Sequence, residues 1–180
     1  QFWFVSEYFS PARSHRVGVF QIAANYAFDI GVTSVDSPIT GTLTENETVT
    51  VSIFNYGENE ASNFEVSYQV DGGPVVTETY TGTVASTETV QHTFSTPADM
   101  SEVGTTYSIT AYTTFAEDED AENDSLTVDV THLNPNDIGV SEVISPSSGE
   151  LLSAAEAVTV TVNNYGGATQ YDFDVTYEFN

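Results

Sequence analysis

The sequence contains no cysteine and no lysine among its 180 residues, and its only basic residues are Arg13 and Arg16. Without cysteine, the fold depends on neither disulfides nor thiolate-bound metals. The formal net charge is −25, because 27 acidic residues outnumber these two arginines. Nucleic acid is therefore not an expected partner, since its recognition needs Lys and Arg to neutralise phosphates. Such a surface suits high salt, divalent cations or a cationic partner, and acidic residues alone also promote solubility.

Long apolar runs are missing as well. No stretch approaches the roughly 20 apolar residues that span a bilayer, so we expect no membrane insertion. The first residues, QFWFVSEYF, lack the basic segment of a signal peptide, and we expect the sequence to come from the middle of a longer protein. With 39% hydrophobic and 12% aromatic residues, the chain can fill a core, which argues against global disorder.

One ten-residue stretch occurs twice, as DIGVTSVDSP from residue 29 and DIGVSEVISP from residue 137. The similarity continues through residues 47–70 and 156–179, with one residue inserted between the two matching parts. This period, close to 108 residues, is the size of a domain rather than of a solenoid repeat. The identical pairs include Asp29/Asp137, Pro38/Pro146, Gly41/Gly149, Asn55/Asn164, Tyr56/Tyr165, Gly57/Gly166, Phe64/Phe173 and Tyr68/Tyr177.

Each copy has the hydrophobic pattern of short β-strands. Apolar residues alternate with polar ones from Val49 to Phe54 and again from Phe64 to Val70, which predicts strands with one buried face. The DGGP sequence at Asp71–Pro74 predicts a turn with glycine at positive φ. About seven strands in roughly 100 residues, without helical periodicity, indicate an all-β, immunoglobulin-like sandwich. The other predicted strands are Ile30–Val35, Val75–Tyr80, Glu88–Phe94, Tyr107–Thr114 and Leu126–Val130.

The same residues resemble a known family. The segments VTVSIFNYGENEASNFEVSYQVDGGPVV, TVQHTFSTPADMSEVGTTYSITAYT and EDEDAENDS are similar to bacterial Ig-like repeats related to the cell-adhesion CARDB type, which are common in surface proteins of bacteria with type IX secretion. The resemblance covers Asp29 to Asn180, and the Asn-Tyr-Gly triplet is among its most specific marks. It implies an extracellular spacer or adhesion module without catalytic activity.

The repeat divides the chain into tandem Ig-like modules, one complete and two partial. Residues 1–28 are predicted to be the last strands of a preceding β domain, with Trp3, Phe4 and Phe20 in its core; a separate jelly-roll domain ending at Phe28 is the alternative. Residues 29–131 form the complete module, 132–136 a short linker, and 137–180 the first three strands of a second module. The rest of a longer chain would complete that half-module. Alternatively, an adjacent chain would complete it by strand addition, giving a filament.

The densest chemical cluster is EDEDAENDS at Glu117–Ser125, where six carboxylates surround Asn123. Ca²⁺ takes six to eight oxygen ligands from such groups, so we expect a structural calcium site with Asp118, Asp120, Asn123 and Asp124 as ligands. The spacing is not that of an EF-hand. The alternative is a solvated acidic loop in which Asn123 and Asp124 form an Asx-type turn.

The repeated Asn-Tyr-Gly triplet has a structural interpretation and a ligand-binding one. A ligand site would use an exposed Tyr, whereas in a structural turn Gly57 adopts a left-handed conformation, Asn55 caps it and Tyr56 packs on the module. No catalytic residue is expected, since the three histidines are isolated in sequence and no nucleophile, metalloprotease or phosphate-binding motif occurs.

The sequence therefore predicts a secreted or cell-surface bacterial repeat that is not an enzyme and forms part of a stalk, adhesin or filament. Its expected partners are neighbouring Ig-like modules in the same or adjacent chains. The alternative function is an accessory Ig-like domain of a secreted protease or glycan hydrolase.

Overall fold

The computed structural model describes residues 25–148, 152–153 and 155–178. The two strand-like runs predicted before residue 25, and the core assigned to Trp3, Phe4 and Phe20, lie outside these residues. The described part contains no helix long and apolar enough to cross a membrane. Its regular structure is entirely β, as the alternation of apolar and polar residues predicts.

Seven strands form two antiparallel sheets over residues 30–131. One sheet has the order β1-β2-β5 and the other β4-β3-β6-β7. All seven strands predicted from the sequence are present, which confirms the Ig-like sandwich. The strands are β1 (Ile30–Ser37), β2 (Thr50–Asn55), β3 (Ala61–Val70), β4 (Val76–Val84), β5 (Thr89–Thr93), β6 (Thr106–Thr114) and β7 (Ser125–Thr131).

The core lies between the sheets, and along β2 and β6 it is filled by every second residue. On β2, Val51 and Ile53 are buried, and on β6 the buried residues include Ile109 and Ala111. Phe64 on β3 is the largest fully buried side chain. Alternating side chains point to opposite faces of a strand, so this pattern fixes which face of each sheet is covered by the other.

The β3–β4 turn also follows from its residues. Asp71 and Gly72 have φ of 52° and 66°, and two successive positive φ values are typical of the tight turns that join hairpin strands. Glycine was expected at positive φ here, whereas the aspartate was not. The Asp71 carboxylate accepts a hydrogen bond from Ser108 N (2.8 Å), which ties this turn to the start of β6.

β1 and β7 belong to different sheets and run in the same direction along one side of the sandwich. At their starts, Gly31 contacts Asn123; beyond their ends, Gly41 and His132 form a parallel bridge. The chain therefore enters the sandwich at one end and leaves it at the opposite end.

The second copy of the repeat forms an antiparallel pair, β8 (Ile138–Ser145) and β9 (Thr159–Asn164). Its ladder has the same irregularities as the β1–β2 ladder: the register shifts between Val32/Ser34 and Val35/Ser37 recur between Val140/Glu142 and Val143/Ser145. Asn63 in β3 and its counterpart Asp172 both have positive φ, 56° and 52°. The two copies thus share local backbone structure as well as sequence.

The third strand predicted for the second copy is not formed among the described residues, because 171–178 join no ladder. Its counterpart β3 pairs with β4 and β6 in the opposite sheet, and the described part of the second copy contains no equivalent of these strands. Val140 and Val143 are accordingly more than half exposed, whereas their counterparts Val32 and Val35 pack in or against the core of the complete sandwich.

Candidate functional site

The candidate site is the junction where the chain enters the complete sandwich. Residues 25–29, called here the incoming segment, lie between the β2–β3 turn and the loop that joins β6 to β7 (residues 115–124, the acidic loop). On the turn side, four backbone amides donate to carbonyls of the incoming segment: Tyr56 N and Gly57 N to Asp29 O (2.8 and 3.2 Å), Glu58 N to Tyr26 O (3.0 Å) and Asn59 N to Ala27 O (3.0 Å).

Asn55 organises the β2–β3 turn from a fully buried position. Its Oδ1 accepts from Gly57 N (2.9 Å), and its Nδ2 donates to Asn59 O (2.8 Å) and Val84 O (2.9 Å). The asparagine therefore caps the turn, as expected. It also links the turn to the end of β4, in the other sheet.

Gly57 is required for a different reason from the one predicted. It does not have positive φ, so the expected left-handed turn is wrong at this position. Instead, a Cβ on Gly57 would lie 2.8 Å from Asp29 N and 2.9 Å from Phe28 Cα, which is too close for a side chain. Glycine is thus needed because the incoming segment packs directly on the turn. Tyr56 is half-exposed and contacts Phe54 edge-on, with ring centroids 4.5 Å apart.

The second copy repeats the turn side of this junction bond for bond. Its incoming segment is the predicted linker. Asn164 caps the turn as Asn55 does: its Oδ1 accepts from Gly166 N (3.0 Å), and its Nδ2 donates to Ala168 O (2.8 Å). The corresponding backbone bonds run from Tyr165 N and Gly166 N to Asp137 O (2.8 and 3.0 Å), from Gly167 N to Asn134 O (2.9 Å) and from Ala168 N to Pro135 O (3.0 Å). Asn164 differs from Asn55 in being exposed and in having, among the described residues, no counterpart of the bond from Asn55 to Val84 O.

The acidic loop holds the other side of the first incoming segment. Asp118 Oδ2 accepts from Ile30 N (2.7 Å) and Glu119 Oε2 accepts from Ala27 N (2.7 Å), while Glu119 N donates to Phe28 O (3.0 Å). Within the loop, Asp118 Oδ1 accepts from Asp120 N (2.9 Å). These carboxylates therefore serve as acceptors that fix backbone amides.

Asp29 belongs to the same cluster, although sequence reasoning did not place it there. It is only 3% exposed, and its Oδ1 accepts from Asn123 Nδ2 (2.7 Å). Asn123 Oδ1 is buried and has no hydrogen-bond partner in the described part of the chain. It packs against Gly31, where a Cβ would also lie 2.7 Å from Asn123 O. The repetition of Asp-Ile-Gly at both copies was the sequence signal for this contact.

Burial and mutual repulsion disfavour the charged forms of Asp124 and Asp29 in this cluster. Burial, followed by the nearby Asp118, Asp29 and Asp120, raises the pKa of Asp124 to about 6. Burial, together with Asp118 and Asp120, also raises the pKa of Asp29, against the lowering effect of its Asn123 hydrogen bond. The described residues contain no Lys or Arg, so like charges meet here without a basic side chain to offset them.

The four predicted calcium ligands all lie within the acidic loop. Across the described residues, no group of three or more His, Asp or Glu side chains is arranged to hold a metal ion. The charge of the cluster favours a divalent cation, whereas Asp118 accepts from the backbone amides of Ile30 and Asp120, and Asp120 Oδ1 accepts from Glu122 N (3.1 Å).

The two histidines in the described part of the chain have structural contacts. His92 Nε2 lies 3.1 Å from Glu78 Oε2 and joins β5 to β4 at one side of the sandwich. His132 is buried, with Nδ1 2.9 Å from Met100 O. Neither contacts a hydroxyl nucleophile in these interactions, and His15 lies outside the described residues.

Comparison with solved structures finds domains of similar fold. One is a domain of a protein described as a cell surface protein from Methanosarcina acetivorans: it is 28% identical, with a TM-score of 0.50, over 59% of this chain and 92% of that one. A CARDB domain from Pyrococcus furiosus, in a crystal structure described as a complex with di-metal ions, is 21% identical, with a TM-score of 0.45, over 61% of this chain and 93% of that one. A solution structure of the same CARDB domain gives 16% identity and a TM-score of 0.42, over 61% and 99%.

No protein-family model matches the chain, and no curated protein matches it significantly. The described residues form an all-β, Ig-like sandwich, and the solved structures that resemble the chain include CARDB domains and a domain of a protein described as a cell surface protein.

Proposed function

We propose that this chain is a non-enzymatic structural module of a protein displayed outside the cell, where it holds neighbouring domains at a fixed separation. The observation that carries the proposal is the absence of free chain between the two copies. Leu133 N donates to Gly41 O (2.9 Å) in the complete sandwich, and the next residue, Asn134, accepts from Gly167 N (2.9 Å) in the second copy. Such a connection restricts the angle between neighbours, which suits a stalk better than flexibly linked beads.

The charge and the structural similarity support an extracellular location. A surface of net charge −25 is well tolerated where salt and divalent cations screen it. The Methanosarcina acetivorans domain described above belongs to a protein described as a cell surface protein. Within this proposal, the chain serves in a bacterial stalk or adhesin, or beside the catalytic domain of a secreted protease or glycan hydrolase. Sequence adjoining the 180 residues distinguishes these roles, since further copies favour the stalk and a catalytic motif favours the accessory role.

Immunolabelling of intact cells tests the location. Antibodies raised against the purified chain are expected to label unpermeabilised cells of the source organism, and brief protease treatment of those cells should remove the label. A cytoplasmic protein serves as the control that the cells are intact. Labelling that arises only after permeabilisation would contradict the proposal.

Other Ig-like modules are the proposed partners, because β8 exposes apolar residues such as Val140 and Val143, whose counterparts on β1 are covered by the opposite sheet in the complete sandwich. Strand addition from a second copy would extend such a contact into a filament. Sedimentation of the purified chain tests self-assembly: a concentration-dependent polymer supports it, and a monomer at all concentrations contradicts it.

We also propose that the acidic loop binds Ca²⁺, with Asp118, Asp120, Asn123 and Asp124 as ligands and Asp29 beside them. The supporting observation is that carboxylates crowd together and raise the pKa of Asp124 and Asp29 without any Lys or Arg in the described residues. Ca²⁺ accepts flexible sets of oxygen ligands. A bound ion would connect the acidic loop to the incoming segment.

Thermal unfolding tests the calcium proposal. At pH 7, Ca²⁺ at about ten times its Kd is expected to raise the Tm by roughly 5–10 °C relative to EDTA, because binding then stabilises the fold by about 1.4 kcal/mol. Asp124→Asn should reduce the response, whereas Asp129→Asn, which removes an exposed charge from β7, should not. An equal rise with NaCl at matched ionic strength would indicate general screening and would contradict a specific site.

A further inference from the structure

We infer that the complete sandwich is a tension-bearing unit that resists stretching between its incoming and outgoing ends. The inference rests on the proposed structural role and extends it from holding domains apart to carrying a mechanical load. It depends on three features of the described residues: the direction of β1 and β7, which are the first and last strands of the complete sandwich, the geometry of their ladders, and the hydrogen bonds where the chain enters and leaves the sandwich.

The direction of the terminal strands places the load along the strands. β1 and β7 start at one end of the sandwich and finish at the other, as the Gly31–Asn123 contact and the Gly41–His132 bridge establish. Pulling on the chain ends therefore draws β1 toward its start and β7 toward its finish. The two strands would have to slide in opposite directions past the rest of the sandwich.

Sliding loads many hydrogen bonds at once. β1 pairs with β2 from Ile30 to Ser37, and β7 pairs with β6 along its whole length. Hydrogen bonds in an antiparallel ladder are perpendicular to the strands, so a force along the strands shears them together. Peeling a strand from its end would instead break them one after another.

The outgoing segment (residues 131–134) is held on both sides. On the β1 side, Gly41 N donates to Thr131 O (3.1 Å), Leu133 N donates to Gly41 O (2.9 Å) and Thr131 N donates to Thr40 Oγ1 (3.0 Å). On the other side, His132 N donates to Thr105 O (2.9 Å) and Gly104 N donates to His132 O (2.7 Å). We call the first three bonds the outgoing clamp. They join the two strands that tension pulls in opposite directions.

The incoming segment is held in the same two-sided way, by the β2–β3 turn and by the acidic loop. Chain ends of a domain are ordinarily its least ordered parts unless they are tied down. Here the backbone from Tyr26 to Ile30 and from Thr131 to Leu133 is bonded on both flanks. These bonds therefore transmit a pull on the incoming and outgoing segments to β1 and β7 and to the elements bonded to them.

Single-molecule force spectroscopy on the 180-residue chain tests the inference. Because the protein has no cysteine, paired cysteines define the pulling points. Asn25→Cys with Asn136→Cys applies force along the chain axis, and Asn25→Cys with Glu60→Cys peels β1 from β2; all three positions are exposed. The axial pair is expected to unfold at a clearly higher force, with a length gain of about 35 nm, against about 12 nm for the peeling pair, since an extended residue spans up to ~3.6 Å.

A single substitution then tests the outgoing clamp. Thr40→Val removes the acceptor of Thr131 N and is expected to raise the unfolding rate under axial load by about two- to tenfold, the equivalent of one hydrogen bond. The same variant should leave the peeling geometry nearly unchanged. Thr48→Val, at an exposed threonine outside the clamp, is the matched control.

Equal unfolding forces in the two geometries would overturn the inference, as would an equal effect of Thr40→Val in both. These outcomes are separate from the proposed location. If antibodies label the chain on intact cells but it unfolds at low axial force, the chain is a surface spacer without a load-bearing role. If the chain unfolds only at high axial force but is labelled only after permeabilisation, the proposed surface location alone is contradicted.

Discussion

Replacing Asn55 by alanine is expected to destabilise the complete sandwich by about 3 kcal/mol. The change removes all three side-chain hydrogen bonds at a fully buried position. It leaves the Val84 and Asn59 carbonyls and the Gly57 amide without these partners, and each buried polar group left unpaired costs roughly 1–3 kcal/mol. This is a large share of the ~5–15 kcal/mol that stabilises a typical domain. Urea unfolding followed by circular dichroism measures the loss.

The second copy supplies the matched control. Asn164→Ala removes the equivalent bonds to Gly166 and Ala168, but at an exposed position where water replaces them. It should therefore cost less than about 1 kcal/mol in the main transition, within the usual range for net hydrogen bonds at exposed sites. Similar losses from both variants would show that the buried link from Asn55 to Val84 is not what matters.

Lowering the pH from 7 to 5 is expected to stabilise the sandwich. Asp124 has a folded-state pKa of about 6, above the ordinary 3.8, so the folded state binds its proton more tightly than the unfolded state does. The charged Asp124 carboxylate therefore destabilises the folded state. This destabilisation is fully present above the folded pKa and disappears as pH falls through 6 toward 4. The raised pKa of Asp29 acts in the same direction.

The size of this effect follows from the pKa difference. A shift of about two units corresponds to roughly 3 kcal/mol, and solvent screening of a partly exposed carboxylate reduces this to about 1–2 kcal/mol. For a domain of about 100 residues, the full amount is a rise in Tm of roughly 5–10 °C, about half of which is reached between pH 7 and pH 5, because the unfolded state binds the Asp124 proton only near pH 4. At lower pH the trend should reverse, because hydrogen bonds lower the pKa of Glu78 and Asp36 and protonation then removes their stabilisation.

Calorimetry of two variants assigns the pH effect to the cluster. Asp124→Asn should raise the Tm at pH 7 and flatten the profile between pH 5 and 7. Asp129→Asn removes the same charge from an exposed site on β7 and should leave the profile parallel to that of the original chain. If both variants behaved alike, the effect would belong to the overall net charge and not to the crowding around Asp124.

The strands were predictable because their signal is local. The alternation from Thr50 to Asn55, and again along β6, directly reports which side chains are buried. The capping role of Asn55 was also predictable, since its bond to Gly57 spans two residues. The exception is the segment after Asp172, which has the right alternation but forms no strand in the described part. A strand needs a hydrogen-bonding neighbour as well as a pattern.

The contacts of the acidic loop were harder to predict from the sequence. Six clustered carboxylates are visible in the sequence, but their principal partners, Ala27 and Ile30, lie about 90 positions away. Gly31 lay within the first predicted strand, Ile30–Val35, and Asp29 directly before it, with nothing local to mark either as a contact of the loop. Their roles depend on Asn123, which only the folding of β7 beside β1 brings near.

By itself, the sequence determined the duplicated unit, its all-β character, its acidic surface and its lack of disulfides, because repetition, periodicity and composition are properties of the chain. The tertiary structure alone decided that Gly57 is needed for close packing, that the loop carboxylates hold backbone amides, and that the segments entering and leaving the complete sandwich are bonded on two sides. These features arise between segments far apart in sequence, where local pattern carries no information about distance or direction.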